Sequence, residues 1–236
     1  MANELTPLLK AALPAVAEDV IDTMAEVAKG ADFLGRIQLY SKGAPVETGR
    51  IRPGRWGIPQ PGGEEIVDLG DKIDIIPLDY RPKALDMHDK DAIVAVYDTK
   101  DPEFQRIKNT PKPKEGTSGC MWGPSFLVLE RTTGLMHELF FGTASGRAEA
   151  GKLRPFLPSK ANGGNPMPAS IGIRYIKKPD FGWHVPVVGK CSEPFDAAAI
   201  KVTPEQIAEE IEKFRNPEKG AEKVSEEEAK ASKRAR

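Results

Sequence analysis

Phe126-Leu127-Val128-Leu129-Glu130-Arg131-Thr132-Thr133-Gly134-Leu135-Met136-His137-Glu138-Leu139-Phe140-Phe141 is the stretch whose reading decides the fold. Two runs of apolar and β-forming residues, 126–130 and 136–141, flank a short segment that ends in glycine, the grammar of a β-hairpin. Alternation sends Phe140 and Phe141 to opposite faces of the second strand. Outward from this hairpin the same pattern recurs as short apolar runs bounded by Gly, Pro and Asp, at 35–40, 65–69, 72–80, 92–97, 125–131, 135–142, 170–177 and 183–191. Within 72–80 the alternation is partial and Pro77 lacks an N–H for the ladder, which favours an edge strand. Asp180-Phe181-Gly182 separates the last two strands. Eight short strands with few helices between them predict a mainly β chain, an antiparallel barrel or sandwich. A parallel α/β fold needs crossover helices that this sequence lacks.

Helices flank the predicted β core of 31–200. Residues 4–29 carry an N-cap at Thr6, Pro7 in the first turn and Gly30 at the stop, within an N-terminal helical segment 1–30. Leu9, Leu13, Val16, Val20, Met24 and Val27 form an apolar stripe that Pro14 kinks, and the stripe needs a cover, either the protein's own sheet or a second subunit. A short helix over 145–154 starts at a Ser145 cap and ends before Pro155. The C-terminal helix, 201–216, has Thr203 as cap, Pro204 in the first turn, Gln206 completing a capping box, and Ile207, Ile211 and Phe214 on one face. Residues 217–236 lose their apolar positions and read as a disordered charged tail.

The 236 residues, with 39% apolar and 29% charged side chains, 22 Gly and 21 Pro, describe a soluble globular chain rich in turns. Uncharged apolar runs such as 120–129 are too short for a membrane span, and the N-terminus lacks secretory-leader grammar, so the expectation is a cytoplasmic protein. Two cysteines cannot make a disulfide framework. The net charge of −1 conceals an asymmetry: −6 over 1–99, +7 over 100–178, −2 over 179–200 and zero over 201–236. A basic block of this kind meets polyanions or balances acidic neighbours.

Walker A, nucleophile-elbow, dinucleotide and H-E-x-x-H motifs are absent, so no catalytic residue and no cofactor is assigned. Gly142-Thr143-Ala144-Ser145-Gly146 opens a helix and reads as an ordinary strand-to-helix turn or as a phosphate cradle. Cys120, His137, His184 and Cys191 are zinc-ligand types without the paired spacings of zinc modules. Asp68, Asp71, Asp74 and Asp79 are accounted for by loop ends and a wet strand face.

The basic and aromatic residues carry more information. Arg50, Arg52 and Arg55 lie in one Gly/Pro loop, Lys108, Lys112 and Lys114 in another, and Arg147, Lys152 and Arg154 along the short helix. Trp56, Trp122, Tyr175 and Trp183 are the ring candidates. A cationic track with exposed rings is how single-stranded nucleic acid is held, each stacked base contributing about 1–3 kcal/mol.

A β-rich core with basic Gly/Pro loops and a polar tail resembles phage-type single-stranded DNA-binding proteins with an elaborated OB-fold. Cys120-Met121-Trp122-Gly123-Pro124-Ser125-Phe126-Leu127-Val128 and Leu69-Gly70-Asp71-Lys72-Ile73-Asp74 also look like segments of phage and environmental viral proteins. The likeness covers about 33–200. It implies an OB-like barrel that coats single-stranded DNA in replication or recombination, without catalysis, alongside replication proteins as partners. Homo-oligomers formed through the N- and C-terminal helices are a separate expectation, read from those helices themselves. The tail departs from the pattern, because such proteins often end in acidic residues and this chain ends Lys233-Arg234-Ala235-Arg236. Two other readings stand beside it: a virion assembly protein whose helices 4–29 and 203–215 make subunit contacts, and a metal-dependent hydrolase or nuclease.

Overall fold

The computed structural model describes residues 34–60, 65–88, 93–111, 119–179 and 181–217. The predicted helix at 4–29 and the tail at 218–236 lie outside the described residues. Among the described residues nine strands form one sheet: β1 (Arg36–Tyr40), β2 (Arg55–Pro59), β3 (Ile66–Gly70), β4 (Ile73–Asp86), β5 (Val94–Val96), β6 (Cys120–Glu130), β7 (Met136–Phe140), β8 (Ala169–Lys177) and β9 (Gly182–Lys190). The order is β3-β2-β1-β7-β6-β4-β8-β9, with β5 also on β4. The sheet curls strongly into a half-barrel. Four α-helices are described: α1 (Ala44–Glu47), α2 (Pro102–Asn109), α3 (Ala144–Ala150) and α4 (Pro204–Arg215).

The β6–β7 hairpin forms as the sequence predicts, with Phe126 opposite Leu139 and Leu129 opposite Met136. Its loop is closed by the buried Glu130, whose carboxylate accepts the N–H groups of Thr132 and Thr133 at 2.9 and 2.7 Å. Gly134 is required there for two reasons: its φ is +68°, and a Cβ would lie 2.1 Å from the Ala199 carbonyl oxygen.

The purely antiparallel expectation is corrected by one pair. β1 runs parallel to β7, Arg36 beside Glu138 and Ile37 beside Leu139, so the sheet is mixed. A parallel neighbour requires a long crossover, and the whole β2–β6 excursion provides it. Pro77 is also corrected, because β4 lies inside the sheet between β6 and β8. The proline is accommodated because, among the described residues, β8 pairs with β4 at Ile73–Ile75 and β5 at Ala84–Asp86, which leaves Pro77 with one strand neighbour there, β6. The β4–β6 register slips between Pro77 and Asp79.

Two segments read as loops are regular structure. Residues 55–59 are strand β2, paired to both β1 and β3. Residues 102–109 are helix α2, capped by Asp101, whose carboxylate accepts the Glu103 N–H at 2.7 Å. The cap of α3 is Thr143 rather than Ser145, its hydroxyl accepting the Gly146 N–H at 3.1 Å, and α3 passes directly into a 3-10 turn over Gly151–Phe156.

The core has two faces because β6 is buried on both. Phe126 and Val128 join Ile37, Trp56, Ile58, Ile73, Ile75, Leu139, Ile171, Val188 and Leu153. This cluster draws on strands from β1 to β9 along one face of the sheet. Leu127 and Leu129 face the opposite way and pack with Ile76, Leu78, Met136 and the Ile207, Ile211 and Phe214 face of α4. A strand covered on both sides needs apolar residues without alternation, which is why 126–129 has none. α4 carries the predicted capping box of Thr203 and Gln206. Its apolar face is buried inside this chain and is therefore not available for subunit contacts. A smaller cluster of Ala84, Phe104 and Ile107 seats α2 at the far end of β4 and β6.

Candidate nucleic-acid interface

β8 leaves β4 after Ile171, but its pairing with β9 continues to Lys177 opposite Gly182. The distal part of these strands is therefore a two-stranded ribbon extending past β4. The register places Tyr175 opposite His184 and Ile176 opposite Trp183, so Tyr175 and Trp183 occupy opposite faces of the ribbon. On one face the Tyr175 and His184 rings lie 4.9 Å apart, and Tyr175 is 55% exposed. On the other, Phe181 stacks on Trp183 at 5.5 Å and 22°, with Lys178 Nζ 5.8 Å from the Trp183 ring. Phe181 is 61% exposed, so its outer face is open for a further ring.

The ribbon is tied to the corner between β1 and β2. Ser41 Oγ accepts the His184 backbone N–H at 2.9 Å and lies 3.2 Å from its Nδ1. Gly54, at φ +75°, passes under the His184 ring, where a Cβ would sit 2.7 Å from the imidazole. Only glycine allows both the turn and this approach. The loop that ends in Gly54 carries Arg50 and Arg52, both exposed, to this end of the half-barrel. Arg50 Nε donates to Thr48 Oγ1 at 3.1 Å. Exposed Arg174, Lys177 and Lys178 line the ribbon, and among the described residues none of the three forms a salt bridge.

The other expected residues divide by environment. Trp56 is corrected: it is 2% exposed in the inner core, because 55–59 is a strand whose alternation turns the indole inward, so no base can stack on it. Arg55 is spent on Asp68, its Nε 3.0 and 3.2 Å from the two carboxylate oxygens. Trp122 is half-buried between Lys108 Nζ at 5.3 Å and the Arg147 guanidinium at 4.1 Å from its ring. Arg147 is not presented to solvent as a phosphate clamp, since it donates to the carbonyls of Trp122 and Gly142 at 3.0 and 2.7 Å. Burial holds its guanidinium below the ordinary value. Lys152 pairs with Glu149 at 2.8 Å, whereas Arg154 is exposed. Lys112 and Lys114 lie outside the described residues.

The four zinc-type residues are not brought together. His137 is buried beside Thr133 Oγ1 at 2.9 Å, His184 is in the ribbon, and the Cys191 thiol donates to the Glu193 carbonyl at 3.2 Å. Asp74 and Asp79 are taken by Arg131 and Arg215. Sequence reasoning did not single out Arg174, Lys177, Lys178 and Phe181 as candidate interface residues. The signal was present in Lys177-Lys178-Pro179-Asp180-Phe181, a basic turn with an aromatic on each side, but only the pairing shows that the turn overhangs the sheet. Comparison with protein-family models, curated proteins and solved structures finds no match for this chain.

Proposed function

We propose that the chain is a non-catalytic, sequence-tolerant single-stranded DNA-binding protein of the phage type, built on an OB-like half-barrel and acting in the cytoplasm in DNA replication or recombination. The observation that carries this reading is the β8–β9 ribbon, where exposed Tyr175 and exposed Phe181, the latter stacked on the partly buried Trp183, stand beside Arg174, Lys177 and Lys178. Bases stack on rings of this kind whatever their identity, and the cations follow the phosphates. Arg50 and Arg52 extend the cationic track from the β1–β2 corner, and Arg154 is a further candidate contact. Trp56, Arg55, Arg147 and Lys152 leave the binding set because core, carboxylate or carbonyl partners hold them.

Fluorescence anisotropy of a labelled 30-mer oligo-dT, titrated across a salt series with duplex competitor, tests the reading. Each neutralised phosphate contributes a slope of about −0.7 in log K against log salt, so the track of Arg50, Arg52, Arg174, Lys177 and Lys178 gives roughly −3.5. Strand-selective, salt-sensitive binding is the expected result. Salt-independent affinity or no binding at low salt overturns it, and persistent oligomers without DNA retention transfer the assignment to an assembly protein.

A further inference from the structure

We propose that Asp86, His88 and Cys120 form a three-ligand site for a thiophilic divalent cation of the zinc class. Asp86 closes β4 and Cys120 opens β6, and the register sets the two directly opposite each other. His88 follows Asp86 by two residues, and the pairing continues between them through the Met87 N–H, which donates to the Gly119 carbonyl at 2.8 Å. Beyond the strand the chain bends, with the His88 N–H donating to Asp86 Oδ1 at 3.1 Å, so the end of this ladder presents a carboxylate, an imidazole and a thiol together.

One ligand atom from each of the three lies within 4.8 Å of the others. His88 Nδ1 is 2.6 Å from Asp86 Oδ1 and 3.8 Å from Cys120 Sγ. Tetrahedral zinc with bonds of about 2.0 Å to nitrogen and oxygen and about 2.3 Å to sulfur separates N from S by about 3.5 Å and N from O by about 3.3 Å. The sulfur is already at that range, and the carboxylate needs to withdraw by well under 1 Å. Arg106 binds Asp86 Oδ2 and also Glu103, which holds the carboxyl with Oδ1 toward His88. Gly119 lies under the His88 ring, where a Cβ would come within 2.7 Å of it. Thiolate with imidazole selects zinc or cobalt over magnesium and calcium, and three protein ligands leave a fourth position for water. This site is independent of the DNA-binding ribbon.

The test is cobalt(II) titration of the full chain under reducing conditions, read by absorption. One cobalt per chain with a thiolate-to-cobalt charge-transfer band is expected, lost in Cys120→Ser and His88→Ala and retained in Cys191→Ser. In the unsubstituted protein, zinc but not magnesium should slow alkylation of Cys120, read by peptide mapping. No band in the unsubstituted chain, a band that survives Cys120→Ser, or zinc-indifferent alkylation of Cys120 overturns the proposal.

Discussion

Replacing Glu138 should damage the fold far more than replacing its closest partner, Lys83. Glu138 faces three cations at once: Lys83 Nζ at 2.7 Å, Arg36 Nε at 3.6 Å and Arg81 Nη2 at 3.7 Å. Ser125 Oγ donates to the same carboxylate at 2.6 Å. The cation excess makes the partners unequal. Burial pushes Lys83, 3% exposed, from 10.5 down to about 8; Glu138 opposes this only in part, and Arg36 and Arg81 add to it. Burial pushes Glu138 up, but Lys83, Ser125 and Arg36 outweigh it and hold the carboxyl below its ordinary value. At about 1.4 kcal/mol per pH unit, the charge on Lys83 costs the native state roughly 3 kcal/mol at neutral pH. Glu138→Gln leaves three cations without their shared carboxylate and should cost about 3–5 kcal/mol. Lys83→Met removes the penalised charge while Glu138 keeps Arg36, Arg81 and Ser125, so its net cost should stay within about 1.5 kcal/mol.

The pH dependence has a definite sign. Below pH 8 Lys83 is charged in both states and the full penalty applies; between about 8 and 10.5 the native state releases a proton that the unfolded chain keeps, so stability rises with pH. Urea unfolding at neutral pH and near pH 9.5 should show wild type gaining about 2 kcal/mol relative to Lys83→Met. A cost for Lys83→Met equal to that of Glu138→Gln, or a wild-type advantage that does not grow with pH, would refute the cation-excess argument.

Tyr175→Ala, Phe181→Ala and Trp183→Ala should each weaken oligo-dT binding by about 1–3 kcal/mol, roughly 5- to 150-fold, with unchanged urea midpoints; unaltered affinity in all three removes the ribbon from the interface. Trp56→Ala should lower stability by about 3–5 kcal/mol in thermal or urea unfolding, because the indole is core. A loss of DNA affinity in the folded Trp56 variant without that destabilisation would contradict this placement. Gly134→Ala should cost more than about 1 kcal/mol in the same unfolding assay, since the alanine meets both a positive φ and the Ala199 carbonyl. A neutral effect would mean that the hairpin loop does not need its glycine.

Local chemistry was legible without coordinates. The β6–β7 hairpin follows from β-formers around Gly134, and α4 follows from Thr203, Pro204, Gln206 and an apolar face, because each depends on residues within a few positions of one another. Two short segments escaped for the same reason. β2 and α2 are only 5 and 8 residues long, and their Gly, Pro and Arg content resembles that of loops. Environment was not legible at all. Trp56 and Trp183 both neighbour basic or imidazole side chains in sequence, yet pairing with β1 and β3 drives the first into the core and the overhang of the ribbon leaves the second only partly buried. The parallel β1–β7 pair, the Lys83–Glu138 contact and the Asp86–Cys120 register each join residues far apart in the chain. Sequence by itself determined a mainly β chain and the types of side chain available. Tertiary structure alone decided which of them meet, because burial and long-range register are set by how the whole sheet closes and not by any residue's neighbours.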